Sequence, residues 1–316
     1  MVMRTNKRKI ILIINTTMKL PTIIITGKQL PLLCLLGAIQ ALYGTVQADD
    51  KTPDGNTSRP TLEQNDSEAL FQLGKACANG VGVKQDDAKA FEYYLKSAEL
   101  GNLKAQHNLG VMYVKGAGVK QDEKEALKWF RKAAEQGAML SQHTYGSMLA
   151  EGKGTEKNAV EAAVWWRKAA EQGLAEAQFR LGLLYYLGEN GVKQDLPEAL
   201  KWLEKAVVQN HASAANNLGL MYEGGAAVQQ SGSEAFRLYQ IAARGGNLKG
   251  QSNLGRCYSL GLGVGKDPVQ AYRWLKLASN KGEVTGTNLL ADLQQGLSKK
   301  QIAEGDRLVA EDENKP

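Results

Sequence analysis

The chain has little of what chemistry or covalent stapling requires. It holds three cysteines and three histidines in 316 residues, too few for a disulfide framework. His107, His143 and His211 bring no third ligand beside a pair, so no metal site and no cofactor are expected. Ser-x-x-Lys and Lys-Thr-Gly are both missing, which excludes the serine constellation of penicillin-recognising enzymes. The glycine pairs end helical stretches and follow no strand, which excludes a phosphate-cradling loop. Strand signals are absent. Acidic residues are also absent before residue 49, where Arg4, Lys7, Arg8, Lys9, Lys19 and Lys28 lie. Those six of the 39 basic residues account for the whole net charge of +6, and the others balance the 33 acidic ones. The basic pI therefore reports the N-terminus and is no sign of nucleic-acid binding.

The early basic residues precede an apolar run from about Leu30 to Leu42 that ends at Val46-Gln47-Ala48. This pattern reads as a signal peptide over 1–48, with Met18 as an alternative start. The run is shorter than the ~20 residues a spanning helix needs and Gln40 interrupts it, so no stable span is expected after cleavage. Leu33 before Cys34 argues against lipid attachment. Residues 49–66 are polar, carry two prolines and read as a disordered linker. Export to the periplasm is the expectation, with secretion or surface display second.

What is abundant is a period. Leu73-Gly74 returns as Leu109-Gly110, Tyr145-Gly146, Leu181-Gly182, Leu218-Gly219 and Leu254-Gly255, at spacings of 36 or 37 residues. Self-similarity at this length means stacked helical units, each burying its apolar face against its neighbours. In the second unit, Ala105, Leu109, Gly110 and Tyr113 share one face of a first helix. Gly116 is placed to end it in the left-handed conformation. Asp122 opens a second helix, with Ala126, Trp129, Ala133 and Ala134 as its inward face, and Gly137 closes it. The corresponding caps are Asp86, Asn158, Asp195, Ser231 and Asp267. Glu125, Glu161, Glu198, Glu234 and Gln270 stand three residues after the last five caps, which predicts five capping boxes. Cys77 and Cys257 fall in the first and sixth units, tens of ångströms apart, so no bridge is expected between them.

The pattern L-G-x-x-Y-x-x-G-x-G-V-x-x-D-x-x-x-A-x-x-W-x-x-K-A-A-x-x-G runs through Leu109 to Gly137. It resembles the Sel-one-like repeat (SLR) family, a relative of the tetratricopeptide repeats. The resemblance covers about 67–296 and implies an all-α fold, a right-handed α/α solenoid of about six helix-turn-helix repeats with a concave groove. Residues 297–316 read as a capping helix and tail, with Ser298 as N-cap and Ile302, Leu308 and Val309 as its apolar side. The fifth unit departs most, with Ala227 for the second glycine and Leu238 for tryptophan.

In tetratricopeptide-like stacks the first helices line the groove. The positions three before each motif glycine are Phe71, His107, His143, Phe179, Asn216 and Ser252. One position after it stand, among others, Leu183 and Arg256. With Tyr186 one turn beyond Phe179, these residues vary while the packing positions repeat, and their aromatics and amides suit a peptide or partner protein. The expected function is that of a non-enzymatic adaptor. A weakly β-lactam-hydrolysing enzyme, as described for cysteine-rich relatives, is the alternative, although the paired cysteines of those relatives are missing. A secreted effector that binds a host protein is a second alternative.

Overall fold

The computed structural model describes residues 2–6, 9–13 and 66–314. The signal-peptide cleavage site, the apolar run and almost all of the linker lie outside the described residues. The chain divides into two compact units, Met1–Leu100 and Gly101–Pro316. The first contains an antiparallel pair, β1 (Val2–Asn6) and β2 (Lys9–Ile13), with Val2 opposite Ile13 and Asn6 opposite Lys9. This short ribbon precedes the repeats, which are all-α as the sequence predicts. Ile10, Ile11 and Ile13 form a short β-branched run, which favours a pleated ribbon. Two helices follow, α1 (Ser67–Asn79) and α2 (Asp87–Glu99). They close over Gly74, where a β-carbon would come within 2.6 Å of the Tyr94 ring.

The second unit is all helix. It comprises α3 (Leu103–Lys115), α4 (Glu123–Glu135), α5 (Met139–Glu151), α6 (Ala159–Glu171), α7 (Ala175–Leu187) and α8 (Leu196–Val208). It continues with α9 (Ala212–Gly224), α10 (Gly232–Arg244), α11 (Leu248–Leu260), α12 (Pro268–Asn280), α13 (Val284–Gln294) and α14 (Lys299–Glu313). Within this unit consecutive helices from α3 to α13 pack on one another, and α14 turns back onto α12. This is the order of a solenoid, in which contacts join neighbours only.

All six second-helix caps act as expected: each side chain accepts a backbone N–H of the first turn. The five capping boxes do not form. The cap N–H groups of Asp122, Asn158, Asp195, Ser231 and Asp267 donate instead to carbonyls of the preceding first helix, at 2.8–3.0 Å. These bonds tie the two helices of a repeat together and leave the residue at the third helical position free for other work. Glu125 pairs with Lys128, Glu198 with Lys201 and the Trp202 indole, Glu234 with Arg237, and Gln270 accepts from Arg273. Among the described residues the one complete box is Ser298 with Gln301, at the start of α14.

On the inward face of α4, Ala126, Ala133 and Ala134 are buried as the sequence predicts, and Trp129 is the exception. Phe130 is 1% exposed, whereas Trp129 is half-buried beneath the Lys132 ammonium, 5.0 Å above its ring. The fully enclosed position is the eighth after the cap. There Phe130, Trp166, Leu203, Tyr239 and Leu275 each press on the motif glycine of their own repeat. A β-carbon at Gly110, Gly146, Gly182, Gly219 or Gly255 would lie 2.6–2.9 Å from that side chain. The recurring glycine thus marks a place where the backbone of one helix touches a large side chain of the other.

Ala227 replaces the second loop glycine of the fifth repeat and takes φ 60°. A side chain there costs about 1–2 kcal/mol. Ala227→Gly is expected to raise stability by about 0.5–1 kcal/mol and to slow amide exchange in α9 and α10. An unchanged melting curve would show that the fifth repeat carries no strain at this loop.

Candidate functional site

The positions three before the motif glycines do not form an open surface. Phe71 is 8% exposed, with its ring 5.7 Å from that of Tyr94 inside the first unit. His107 is half-buried: its Nδ1 lies 3.0 Å from Ser141 Oγ on the next first helix, and its ring meets the edge of Phe130 at 5.2 Å. His143 is half-buried as well, and its carbonyl accepts from the Trp166 indole at 3.2 Å. Phe179 stacks on His211 at 4.8 Å and packs into the core of the fourth and fifth repeats. Asn216 is 4% exposed and accepts from Asn253 Nδ2 at 2.9 Å, and Ser252 is 2% exposed and donates to Glu283. Phe71 and Asn216, expected as contact surface, are buried instead, because each packs against a neighbouring helix. His107, His143 and Phe179 keep part of their surface while the rest is taken up by packing.

The other expected residues stand at the edge of an accessible strip. Leu183 and Tyr186 on α7 are half-buried, and Arg256 on α11 is half-buried with its guanidinium 2.7 Å from Glu223 on α9. Glu223 also accepts from the Tyr239 hydroxyl at 2.6 Å. The Arg256 guanidinium, with help from that hydroxyl, holds the Glu223 carboxyl below the usual range, against the upward push of its partial burial. Beside these lie Arg180, Leu187 at 45% exposure, Asn217, Leu220 at 36% and Leu260 at 55%. Since α7 packs beside α9 and α9 beside α11, these side chains make one face: aliphatic along its middle, with amides and a fixed guanidinium at its margin. The sequence reading reached Leu183, Leu220 and Arg256 through the row one position after each glycine, and missed Arg180 and Leu187. The signal available for those was the rows two before and five after the glycine.

His211 is a further residue whose role spacing alone did not disclose. Its Nδ1 accepts the Ala214 N–H and caps α9, so Nε2 carries the proton donated to Glu176 at 3.0 Å. That hydrogen bond, with a second from Arg180, draws the Glu176 carboxyl down to about 2. Burial lowers His107 and His143 below the ordinary 6.5. Both effects act in the same direction. The two histidines contribute stability that is complete above pH ~6.5 and declines as the unfolded chain takes up protons below it. Glu176 contributes stability that is complete above pH ~4.5 and declines toward pH 2. Melting temperature should therefore fall in two stages on acidification, and His107→Gln with His143→Gln should flatten the upper one. A single step near pH 4 in the unmodified chain would contradict the assignment.

Burial pushes the Cys257 thiol up to about 11, away from a reactive thiolate. Among the described residues no group of histidine, cysteine, aspartate and glutamate is placed to hold a metal. No helix among them is long and apolar enough to cross a membrane.

The Sel1 repeat family model matches six stretches, 67–102, 103–137, 140–174, 175–211, 212–247 and 248–283. Among solved structures, the Sel1 repeat protein from Oxalobacter formigenes is 38% identical with a TM-score of 0.62, over 69% of this chain and 89% of that one. The c5321 protein, described as a protective antigen present in uropathogenic Escherichia coli strains and displaying an SLR fold, is 29% identical with a TM-score of 0.55. That match covers 78% of this chain and 61% of c5321, so the chain spans less than two thirds of that structure. No curated protein sequence matches the chain.

Proposed function

We propose that this chain, which belongs to the Sel1 repeat family, is a protein-interaction adaptor that holds a peptide segment or partner protein along its first helices, chiefly across α7, α9 and α11. Sel1 repeat proteins mediate protein–protein contacts, and the repeat scaffold is typically non-catalytic. The observation that carries the more specific reading is the division of labour among first-helix positions. The glycine, Phe71 and Asn216 are consumed by packing, while Arg180, Leu187, Leu220 and Leu260 change from repeat to repeat and stay exposed. Exposed leucines on a rigid support provide apolar anchors, and the Arg256–Glu223 pair at their margin provides direction. Residues 1–48 support an exported location, where the mature chain would begin at Asp49. The description of c5321 as an antigen favours surface display over a soluble periplasmic role as the second location.

The test is a comparison of captured partners. Protein beginning at residue 49 would be matched with a variant carrying Arg180→Ala, Leu187→Ala and Leu220→Ala, after circular dichroism shows equal helicity. A partner held by the first and lost by the second is the expected result. Identical captures would remove this face from consideration.

A further inference from the structure

Along the array, buried glutamines form a ladder through the second, third and fourth repeats; the fifth has Ala215 and Gly245 at the two positions, and the sixth keeps only half of the pair. Four residues before the motif glycine, Gln106, Gln142 and Gln178 each accept through Oε1 from a glutamine at the C-terminal cap of the second helix. Gln136, Gln172 and Gln209 are the donors, at 3.0, 2.7 and 2.9 Å. Gln172 and Gln209 use the same Nε2 to reach the carbonyls of Gly137 and Gly173 as well, at 3.2 and 3.0 Å. In the sixth repeat the acceptor is present and the donor is replaced: Gln251 stands at the ladder position and Lys281 at the cap.

The orientation of Gln251 follows its counterparts. Its Nε2 donates to the Ala243 carbonyl at 3.4 Å, as Gln142 does to Ala134 at 3.2 Å and Gln178 to Ala170 at 3.1 Å. Its Oε1 is left over, buried and with no hydrogen-bond partner, in a side chain whose residue is only 5% exposed. At this point a cavity of about 580 Å³ opens between α10 and α12 over α11, with the end of α14 at its rim. Gly246, the counterpart of Gly137 and Gly173, lines it, as do Tyr258, Trp274, Arg273 and Lys281. A buried acceptor without a donor is costly, and a room with aromatic walls around one is the form a ligand site takes.

We propose that this cavity binds a neutral carboxamide, the side chain of a glutamine presented by a peptide. One NH2 group would serve the Gln251 Oε1 and the Gly246 carbonyl, as the cap glutamines do in the third and fourth repeats. The ligand's methylenes would lie against Trp274 and Tyr258. Arg244, Arg273 and Lys281 share the lining with Asp312 and Glu313, and the Arg273 guanidinium is paired with Asp312 at 2.6 Å. The surplus of one positive charge gives an ammonium no advantage as the donor, and a carboxamide also brings a carbonyl oxygen for Lys281 or Arg244. A carboxylate would find those cations but would have no proton for Gln251. This site stands on α10, α11, α12 and α14; it shares α11 with the adaptor surface but takes Gln251 and Tyr258 from it, where the adaptor surface takes Arg256 and Leu260.

The experiment is a nuclear magnetic resonance titration of the isotope-labelled full chain with N-acetyl-glutamine methylamide, and with the glutamate counterpart. Shifts at the Gln251 side-chain amide and the Trp274 indole are expected, with the glutamate probe weaker by roughly tenfold or more. Lys281→Gln supplies the missing donor from within, so it should raise the melting temperature and abolish the shifts. Lys281→Ala should leave them in place. Equal response to both probes, persistence of binding in Lys281→Gln, or no response at all would overturn the proposal. So would a change in the Gln251 amide of Lys281→Ala without any probe, because Lys281 would then be the partner.

Discussion

Phe130→Ala lowers the stability of the array by about 3–5 kcal/mol, while Trp129→Ala costs less than half as much. The two residues are adjacent and both aromatic, and the difference lies in what surrounds them. Phe130 is 1% exposed and rests on Gly110, with the His107 ring against its edge. Trp129 is half-buried and covered by a lysine stem. Truncating the first leaves a cavity between helices that cannot collapse onto it, because α3 and α4 are held by the bond from the Asp122 N–H to the Tyr113 carbonyl. Gly110→Ala alone should cost about 1–3 kcal/mol, since the new methyl group meets the ring at 2.7 Å. In the Phe130→Ala background the same methyl enters vacated space, so its cost should vanish or change sign. Chemical denaturation of the four proteins gives the coupling directly. Additive losses, or equal losses at 129 and 130, would refute the assignment of Phe130 as the residue pressed on the motif glycine.

Gly263→Ala is expected to cost about 3 kcal/mol, far more than an exposed loop residue ordinarily would. Gly263 has φ 70°, which an alanine occupies at about 1–2 kcal/mol. The added β-carbon would also run into the backbone carbonyl of Gly232, at the start of α10 in the preceding repeat. A carbonyl in a helix's first turn cannot swing aside as a side chain can, so the joint between the fifth and sixth repeats must open. Gly154 meets Glu123 in the same manner three joints earlier, between the second and third repeats. Amide exchange should accelerate in α10 through α12 of the Gly263→Ala protein and remain unchanged in α3 and α4, because coupling in such arrays passes between neighbours. A melting temperature equal to that of the unmodified chain would sink this reading of the loop.

The repeating unit was legible in the sequence because its physics is local. Helix caps at Asp86, Asp122, Asn158, Asp195, Ser231 and Asp267 depend on one side chain and the next three residues. The glycine that ends α3 in the left-handed conformation, Gly116 at φ 68°, depends on its own backbone. Spacing alone therefore located the helices, their ends and the stacking order. Where spacing misled, two repeats or two helices had to be known together. Glu125 and its equivalents sit at the correct distance for capping boxes, and only the arrival of the preceding helix's carbonyl shows that the cap N–H is already bonded. Trp129 carries the family pattern, yet a rotation of α4 against Gly110 places Phe130 inside.

The functional surface divides along the same line. That variable residues lie on the first helices follows from comparing repeats along the chain. Which of them face outward depends on the angle between adjacent repeats, and no single repeat encodes that angle. It buried Asn216, drew part of His107 and Phe179 into packing, and left Leu187 and Leu220 exposed. The chain's periodicity determined a helical array and its caps, because those arise from interactions within about eight residues. Tertiary structure alone decided which side chains the joints consume, which face remains for a partner, and that the buried acceptor of Gln251 lacks the donor its counterparts have. Those outcomes rest on contacts between residues some thirty positions apart, which a local pattern does not contain.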